Sequence, residues 1–239
     1  ALPETEMGAV LAMADKLDTI LAFFTVGLIP SGSNDPYALR RATAGILRII
    51  ESQNWDIALP SLISELYTLD VDGFTYAKQD EVMQFINGRV AKMLEGVARY
   101  DLIEAVLATG SLDVTYLTET AKALDDKVSD ADFKTSVENL ARVVNLASKL
   151  TTAPSVTEAT LENEFEKALF IAEQQVVLTG TSAEKLTALF SLSNLITAFF
   201  DNTMVMIDDE ALKHNRLSLL ADIAAKAGQL ADFRRILTK

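Results

Sequence analysis

The stretch ADKLDTILAFFTVGLIPSGSNDPYALRRATAGILRII, residues 14–50, predicts two helices joined by a loop. Its first half carries apolar residues three and four positions apart, which is the spacing of a buried helical face. That helix ends before Pro30, and a loop of small and polar residues follows. Asn34 or Asp35 can accept hydrogen bonds from the free N–H groups of the second helix, and Pro36 suits its first position. The stretch therefore predicts a helix–loop–helix unit.

The same helical periodicity continues along nearly the whole chain, and no run of strict apolar–polar alternation interrupts it. Only 10 glycines and 5 prolines are present among 239 residues, too few for a turn-rich all-β protein. We therefore predict an all-α fold, a helical bundle. Its expected helices span residues 5–24, 36–52, 60–69, 78–98, 101–109, 114–127, 131–151, 160–179, 183–198, 209–227 and 229–238.

The lack of cysteine and the single histidine, His214, exclude several kinds of active site. Disulfides and thiolate metal sites need cysteine, and a multi-histidine metal site needs a second imidazole. No glycine-rich phosphate loop is present. Asp15 and Asp18 lie close together on the first helix, but two carboxylates alone make a poor metal site. We predict no catalytic residue and no metal ligand in this chain.

Membrane insertion is not expected either. The apolar segment TILAFFTVGLIP, residues 19–30, is too short to span a bilayer. The opening residues, ALPETEMGAV, lack the basic region of a signal peptide and do not begin with Met, so we expect a piece of a longer protein. The absence of cysteine fits a cytoplasmic location.

The net charge argues against nucleic-acid binding by the surface as a whole. The chain has 21 basic and 34 acidic residues, a formal net charge of −13. Phosphate contacts need Lys and Arg, so the surface as a whole is unsuited to nucleic acid. A nucleic-acid site on this protein must be a local basic stripe on an acidic body.

The second helix offers such a stripe. At 100° per residue, Tyr37, Arg41 and Arg48 fall on one side of it, with Ala44 and Gly45 between the two arginines. Arginine suits the two-pronged binding of phosphate or carboxylate, and tyrosine can stack on a base. The alternative is that the arginines form ion pairs with carboxylates of a neighbouring domain. The spacing alone favours that structural alternative.

Other cations are concentrated in two places. The helix predicted over residues 78–98 carries Arg89 and Lys92, although Glu95 can pair with the lysine on the helix surface. The C-terminal tail carries a second group against a single acid, Asp232. Its members are Lys226, Arg234, Arg235 and Lys239.

The segment AFFDNTMVMIDDEALKHNRLSLL, residues 198–220, places an arginine among apolar residues. Arg216 shares a helical face with leucines, where a guanidinium is costly to bury unless it is paired. We expect it to pair with Asp201 or with helix-terminal carbonyls and to hold an apolar loop in place. His214 is expected on the exposed side. The expected loop contains Phe199, Phe200, Met204, Val205 and Met206.

These segments resemble a known family. The stretch over residues 14–50 resembles the signature of bacterial glycyl-tRNA synthetase β subunits, an ADKLDTL helix, a G-x-x-P-x-G-S/D-x-D-P loop and an F/Y-A-L-R-R helix. FFDNTMVMIDDEALKHNRLSLL, residues 199–220, resembles that family's closing motif. KTSVENLARVVNL, residues 134–146, resembles its middle. Thr203 and Lys213 depart slightly from the family pattern.

The resemblance implies a fold and a function. The chain would be a C-terminal fragment of the β subunit, with the end of an HD-like helical domain at residues 1–72. An arginyl-tRNA-synthetase-like (DALR-type) anticodon-binding domain would follow at residues 73–239. Asp15 matches the last aspartate of the HD metal motif, but the HD pair is absent from this chain, so no complete metal site is expected.

The family's partners follow from the same resemblance. The enzyme would be a class II synthetase, a heterotetramer of two α and two β subunits. Its β subunit would bind the anticodon arm of glycine tRNA, while its α subunit would use ATP and Mg to charge the tRNA with glycine. This fragment would hold no cofactor and bind no DNA. The alternative function is an acidic helical scaffold for subunit docking. Expected tRNA contacts are Tyr37, Arg41, Arg48, Arg89, Lys92 and Arg142, and structural roles are assigned to Arg40, Asp201, Asn215 and Arg216.

Overall fold

The computed structural model describes residues 2–70, 74–111 and 113–238. Within these ranges it contains eleven α-helices and no β-strand, which confirms the predicted all-α fold. In chain order the helices are α1 (Glu6–Thr25), α2 (Leu39–Gln53), α3 (Leu59–Leu66), α4 (Gln79–Leu94), α5 (Tyr100–Leu107), α6 (Val114–Lys127), α7 (Phe133–Ala147), α8 (Glu164–Gln175), α9 (Ser182–Phe190), α10 (Ser193–Asn202) and α11 (Glu210–Gly228). Short 3₁₀ helices occur at Glu158–Thr160 and Phe233–Arg235.

The chain divides into two compact units. The first comprises Ala1–Val97 and Ser111–Thr118, and the second comprises Ala98–Gly110 and Glu119–Lys239. The predicted boundary between residues 72 and 73 falls within residues 71–73, which lie outside the described residues. The division into an HD-like and an anticodon-binding domain therefore stays a prediction.

In the first unit, α1 packs along α2, and α4 packs against both of them. Ile20, Phe24, Ile46, Ile50 and Ile86 are buried between these helices, because each helix carries apolar residues at helical spacing. Burying such side chains is the main favourable contribution to the stability of the unit.

Hydrogen bonds from the start of α2 hold the loop between α1 and α2 in place. The Asp35 carboxylate accepts from the backbone N–H groups of Leu39, at 2.8 Å, and Arg40, at 3.0 Å. The predicted capping role of this loop is therefore confirmed for Asp35. The helix begins at Leu39 and not at Pro36, because Ala38 adopts a left-handed conformation with φ of 58°.

In the second unit, α7 packs against α11, and α10 packs against both α7 and α8. Leu140, Leu169, Ile196, Phe199 and Leu220 form its buried centre. Two helices begin with capping boxes, in which the first side chain and a glutamate three residues later each bind the other's backbone. These caps fix the starts of α8 and α9.

Two predicted helices are not single α-helices in the structure. The one expected over residues 183–198 is two helices, because the turn tightens at Leu192, whose N–H donates to the carbonyl oxygen of Leu189 at 3.2 Å, and a new helix begins at Ser193. As a result Phe199 and Phe200 belong to α10 and not to the expected loop.

The helix expected over residues 229–238 is also wrong. The structure has only the 3₁₀ turn Phe233–Arg235 there. The backbone N–H of Asp232 donates to the carbonyl oxygen of Ala105 at 2.8 Å, and its carboxylate caps the 3₁₀ turn. Because the Asp232 N–H donates to a distant carbonyl oxygen, it is not available for an α-helical ladder.

Candidate functional site

A cleft with a cationic rim lies between α2 and α4 in the first unit. Its volume is about 380 Å³. Ala44 and Gly96 contribute little side-chain bulk, which leaves the space open. We call this feature the basic cleft, and its lining residues are Arg40, Ala44, Leu47, Arg48, Arg89, Lys92, Met93 and Gly96.

The positive charge of the basic cleft is only partly neutralised. Within the described ranges, neither Arg48 nor Arg89 forms an ion pair with a carboxylate. Lys92 pairs with Glu95 at 2.5 Å, but both side chains are well exposed, and exposed pairs of this kind are weak. The cleft therefore presents guanidinium groups that are available to an anionic ligand.

Arg40 has a second contact that fixes the preceding loop. Its guanidinium donates to the carbonyl oxygen of Gly32 at 2.8 Å. The side chain thus holds the loop that leads into α2, while its charge adds to the rim of the basic cleft.

The stripe predicted on α2 is exposed to solvent. Arg41 and Arg48 are exposed on α2, but Tyr37, expected on the same helix, lies in the turn before it. The Tyr37 ring, 48% exposed, packs on Phe23 with 4.3 Å between the ring centroids. The structure adds a cation that the sequence analysis missed, Lys16. A Cβ atom at Gly45 would come within 3.1 Å of the Lys16 Cε atom, so the lysine packs against α2 at this glycine. In the sequence, the small residue Gly45 indicated only that another group could approach α2 closely at this point.

Arg142 lies in the second unit, in a different setting. Its guanidinium carbon is 3.9 Å from the centroid of the Phe200 ring, the geometry of a cation–π contact. Both residues border a surface depression of about 500 Å³, which is also lined by Leu146 and by residues 201–206. Among the expected contacts, the structure thus brings Arg48, Arg89 and Lys92 to one cleft, and places Arg142 in the other unit.

The buried arginine of the closing motif was expected to bind Asp201 or carbonyl oxygens at a helix end; the structure shows a carbonyl contact and two carboxylates that were not predicted. Arg216 is only 6% exposed, as its helical position predicts. It pairs with Glu166 and, at 3.1 Å, with Glu162, and it donates to the carbonyl oxygen of Met204 at 2.9 Å. The predicted pairing with Asp201 is wrong, because α10 extends to Asn202 and leaves the Asp201 side chain exposed.

Asn215, on the preceding position of α11, has a structural contact of its own. Its amide accepts from the N–H of Thr157 at 2.7 Å and donates to the carbonyl oxygen of the same residue at 3.2 Å. This two-pronged contact holds the extended segment before α8 against α11. His214, expected on the exposed side, is partly buried beside Thr152 and Ser218.

The cations of the C-terminal tail are paired with acids. Lys226 contacts Glu173 at 2.7 Å, and Asp232 pairs with Arg234 at 2.7 Å and with Arg235 at 3.2 Å. The hydrogen bond from Arg234 holds the pKa of Asp232 below its usual value. Lys239 lies outside the described residues. The tail therefore offers much less free positive charge than its sequence suggests.

Two negative findings apply to the described part of the chain. It contains no group of three or more His, Cys, Asp or Glu side chains placed to hold a metal ion. None of its helices combines the length and the apolar character needed to cross a membrane.

Comparison with known proteins shows the family. Residues 1–108, which include the whole basic cleft, match the family model described as glycyl-tRNA synthetase beta subunit. The glycine–tRNA ligase beta subunit of Streptococcus gordonii is 51% identical over 238 residues, which is 100% of this chain. The same identity and coverage hold for the beta subunit of Streptococcus pneumoniae serotype 19F. The chain belongs to the glycyl-tRNA synthetase β-subunit family.

The family assignment confirms the resemblance inferred from residues 14–50 and 199–220. The chain spans 35% of the length of these two glycyl-tRNA synthetase β subunits. Sequence identity over the full chain means that both compact units, and not only the first, have counterparts in the β-subunit family.

Proposed function

We propose that this chain is a tRNA-contacting region of a glycine–tRNA ligase β subunit, and that the basic cleft holds phosphates of the tRNA. The observation that carries the proposal is the pair Arg48 and Arg89, two arginines at one cleft that no carboxylate neutralises within the described residues. We take the nucleic acid to be tRNA because the relatives are glycine–tRNA ligase beta subunits.

The charge distribution supports this role. A guanidinium binds phosphate through two parallel hydrogen bonds, and its binding releases condensed cations from the RNA. The acidic remainder of the chain, with a net charge of −13, repels phosphates. A local cationic cleft on an acidic body therefore restricts the orientation in which RNA can approach, which an evenly basic surface would not do.

The wider proposal concerns the whole enzyme. The second unit meets the anticodon arm, with Arg142 among its contacts, while the α subunit binds ATP, Mg and glycine and charges the tRNA. The two kinds of subunit form a heterotetramer in the cytoplasm, and the enzyme is a class II synthetase. The catalytic centre lies outside this chain.

A salt titration tests the proposal. The chain is titrated with a glycine tRNA transcript in gel-shift assays between 50 and 200 mM salt. Three phosphate contacts, from Arg48, Arg89 and Lys92, give a log–log slope of about −2 to −3. A tRNA for another amino acid is the control, and weaker binding of that tRNA is expected.

The scaffold alternative predicts a different result. In that case the chain binds any tRNA equally and weakly, or not at all, and instead binds the purified α subunit. Such an outcome would refute direct tRNA contact.

A further inference from the structure

The Arg142–Phe200 pair in the second unit has the construction of a stacking platform. The guanidinium carbon lies over the ring, 3.9 Å from its centroid. The Phe200 ring is only 9% exposed and also contacts Phe199, at 5.4 Å between centroids, so its position is fixed. Arg142 itself is exposed, which leaves its outer face free to take a second planar group.

The guanidinium is not engaged by an acid. Within the described residues Arg142 forms no ion pair, although Glu138 precedes it by one helical turn and is paired with Lys134 at 3.9 Å. A planar cation held by a ring on one side and open on the other is a stacking partner for nucleobases. A lysine at the same place would carry the charge without the plane.

The depression beside the platform has the size and lining for one planar ligand. It measures about 500 Å³ and is bordered by Met204 and Met206, which are 73% and 45% exposed. Methionine is common at adaptable binding surfaces, because its flexible thioether makes favourable contacts with aromatic groups. The Met204 carbonyl is tied to the buried Arg216, so this wall of the depression is held in place.

Asp201 supplies a polar group at the same depression. Its carboxylate is exposed, and it forms no ion pair in the described part of the chain. A carboxylate only accepts hydrogen bonds, so it favours a base edge that carries an exocyclic amino group and disfavours one that carries a carbonyl oxygen.

Lys149, in the turn that follows α7, extends the site. A second depression, of about 480 Å³, shares Arg142 and Leu146 with the first and is lined by Asn145 and Lys149. Lys149 is exposed, and its ammonium suits the phosphate next to a stacked base.

We propose that Arg142, stacked on Phe200, is the platform for one unpaired RNA base with an exocyclic amino group, and that Asp201 accepts a hydrogen bond from that group. The proposal rests on the proposed function, because tRNA contact is what makes the ligand RNA.

Heptacytidylate and heptauridylate are suitable probes, because the two bases differ in one amino group against one carbonyl oxygen. Binding of each fluorescently labelled RNA to the full 239-residue chain is measured by anisotropy at fixed salt. The wild-type chain binds heptacytidylate about tenfold more tightly than heptauridylate. Arg142→Lys weakens heptacytidylate binding about 5- to 100-fold, the range for loss of one stacked base, although the charge is kept. Asp201→Asn removes the preference between the probes.

Lys134→Gln is the matched control, an exposed cation on the same helix that is paired with Glu138, and it leaves both affinities within about twofold. Circular dichroism melting checks that each variant is folded. Equal binding of the two probes, no measurable binding of heptacytidylate, or an unchanged affinity of Arg142→Lys would each overturn the proposal.

A further variant separates this proposal from the proposed function. If Arg48→Gln lowers the salt dependence of tRNA binding while Arg142→Lys has no effect on any probe, the stacking site is refuted and the basic cleft stands. If neither variant changes RNA binding, both proposals fail.

Discussion

The guanidinium of Arg216 forms a buried ion pair with the carboxylate of Glu166, joining α11 to α8. The Glu166 side chain is fully buried, and it also accepts from the backbone N–H of Glu162 at 2.6 Å, at the start of α8. The same arginine binds the carbonyl oxygen of Met204. The Arg216–Glu166 pair therefore links α11, the start of α8 and the segment after α10.

Replacing Arg216 with alanine should destabilise the second unit. The change leaves the Glu166 carboxylate buried without its cation, which costs about 3–5 kcal/mol. We expect the melting temperature, measured by scanning calorimetry, to fall by at least about 6 °C. Lys213→Ala is the control, since its partner Glu210 is 80% exposed, and it should cost less than about 1 kcal/mol. A variant of Arg216 as stable as the wild type would contradict the burial of this pair.

Arg48→Gln and Arg89→Gln should each reduce the salt dependence of tRNA binding. Each removes one guanidinium from the basic cleft, so the log–log slope should become less steep by about one. Arg234→Gln is matched to them as an exposed arginine, but it is already neutralised by Asp232 at 2.7 Å. It should leave the slope unchanged, and a slope that changes equally for all three would argue against a specific cleft.

Asp101→Asn should destabilise the protein more at neutral pH than in acid. Burial raises the pKa of Asp101, but the hydrogen bonds from Arg99 and from the Leu237 N–H outweigh it and hold that pKa below its usual value. A lowered folded-state pKa adds stability above the unfolded value of about 3.9, and this is lost as the pH falls through the folded value.

At pH 7 we expect a loss of about 1–3 kcal/mol on Asp101→Asn, read from thermal melts, and a smaller difference from wild type at pH 3. A difference that does not change between pH 7 and pH 3 would show that the carboxylate charge is unimportant there.

Asp113→Asn should have the opposite effect. Burial, together with the neighbouring Asp56 carboxyl, raises the pKa of Asp113. A raised folded-state pKa gives stability that is fully present below the unfolded value of about 3.9 and is lost as the pH rises through the folded value. Asparagine removes the repulsion and still accepts from the Tyr116 N–H, which Asp113 binds at 3.0 Å.

We therefore expect Asp113→Asn to stabilise the protein at pH 7 by up to about 1 kcal/mol, with the gain vanishing below pH 4. Melting curves at pH 7 and pH 3.5 provide the measurement, and Asp56→Asn should reproduce the effect. Destabilisation at pH 7 would contradict repulsion between the two carboxyl groups.

Local patterns in the sequence were sufficient for most of the fold. Apolar spacing predicted α1 and α2, and Asn34 or Asp35 was expected to bind the free N–H groups of α2, as Asp35 does, because a helix and the side chains that bind its start depend on residues within a few positions of each other. The same logic fails at residues 229–238, where the Asp232 N–H binds a carbonyl oxygen far away in the chain, at Ala105.

The candidate sites divide in the same way. The sequence by itself determined the family, the burial of Arg216 and the two arginines on one face of α2, since each follows from the order of nearby residues. Only the tertiary structure decided that Arg216 pairs with Glu166 and that Arg234 is neutralised by Asp232 in a turn. It also decided that Arg48 and Arg89 reach one cleft, with no ion-pair partner for either among the described residues. The charge available to a ligand depends on which side chains packing brings within a few ångströms, and sequence separation does not fix those distances.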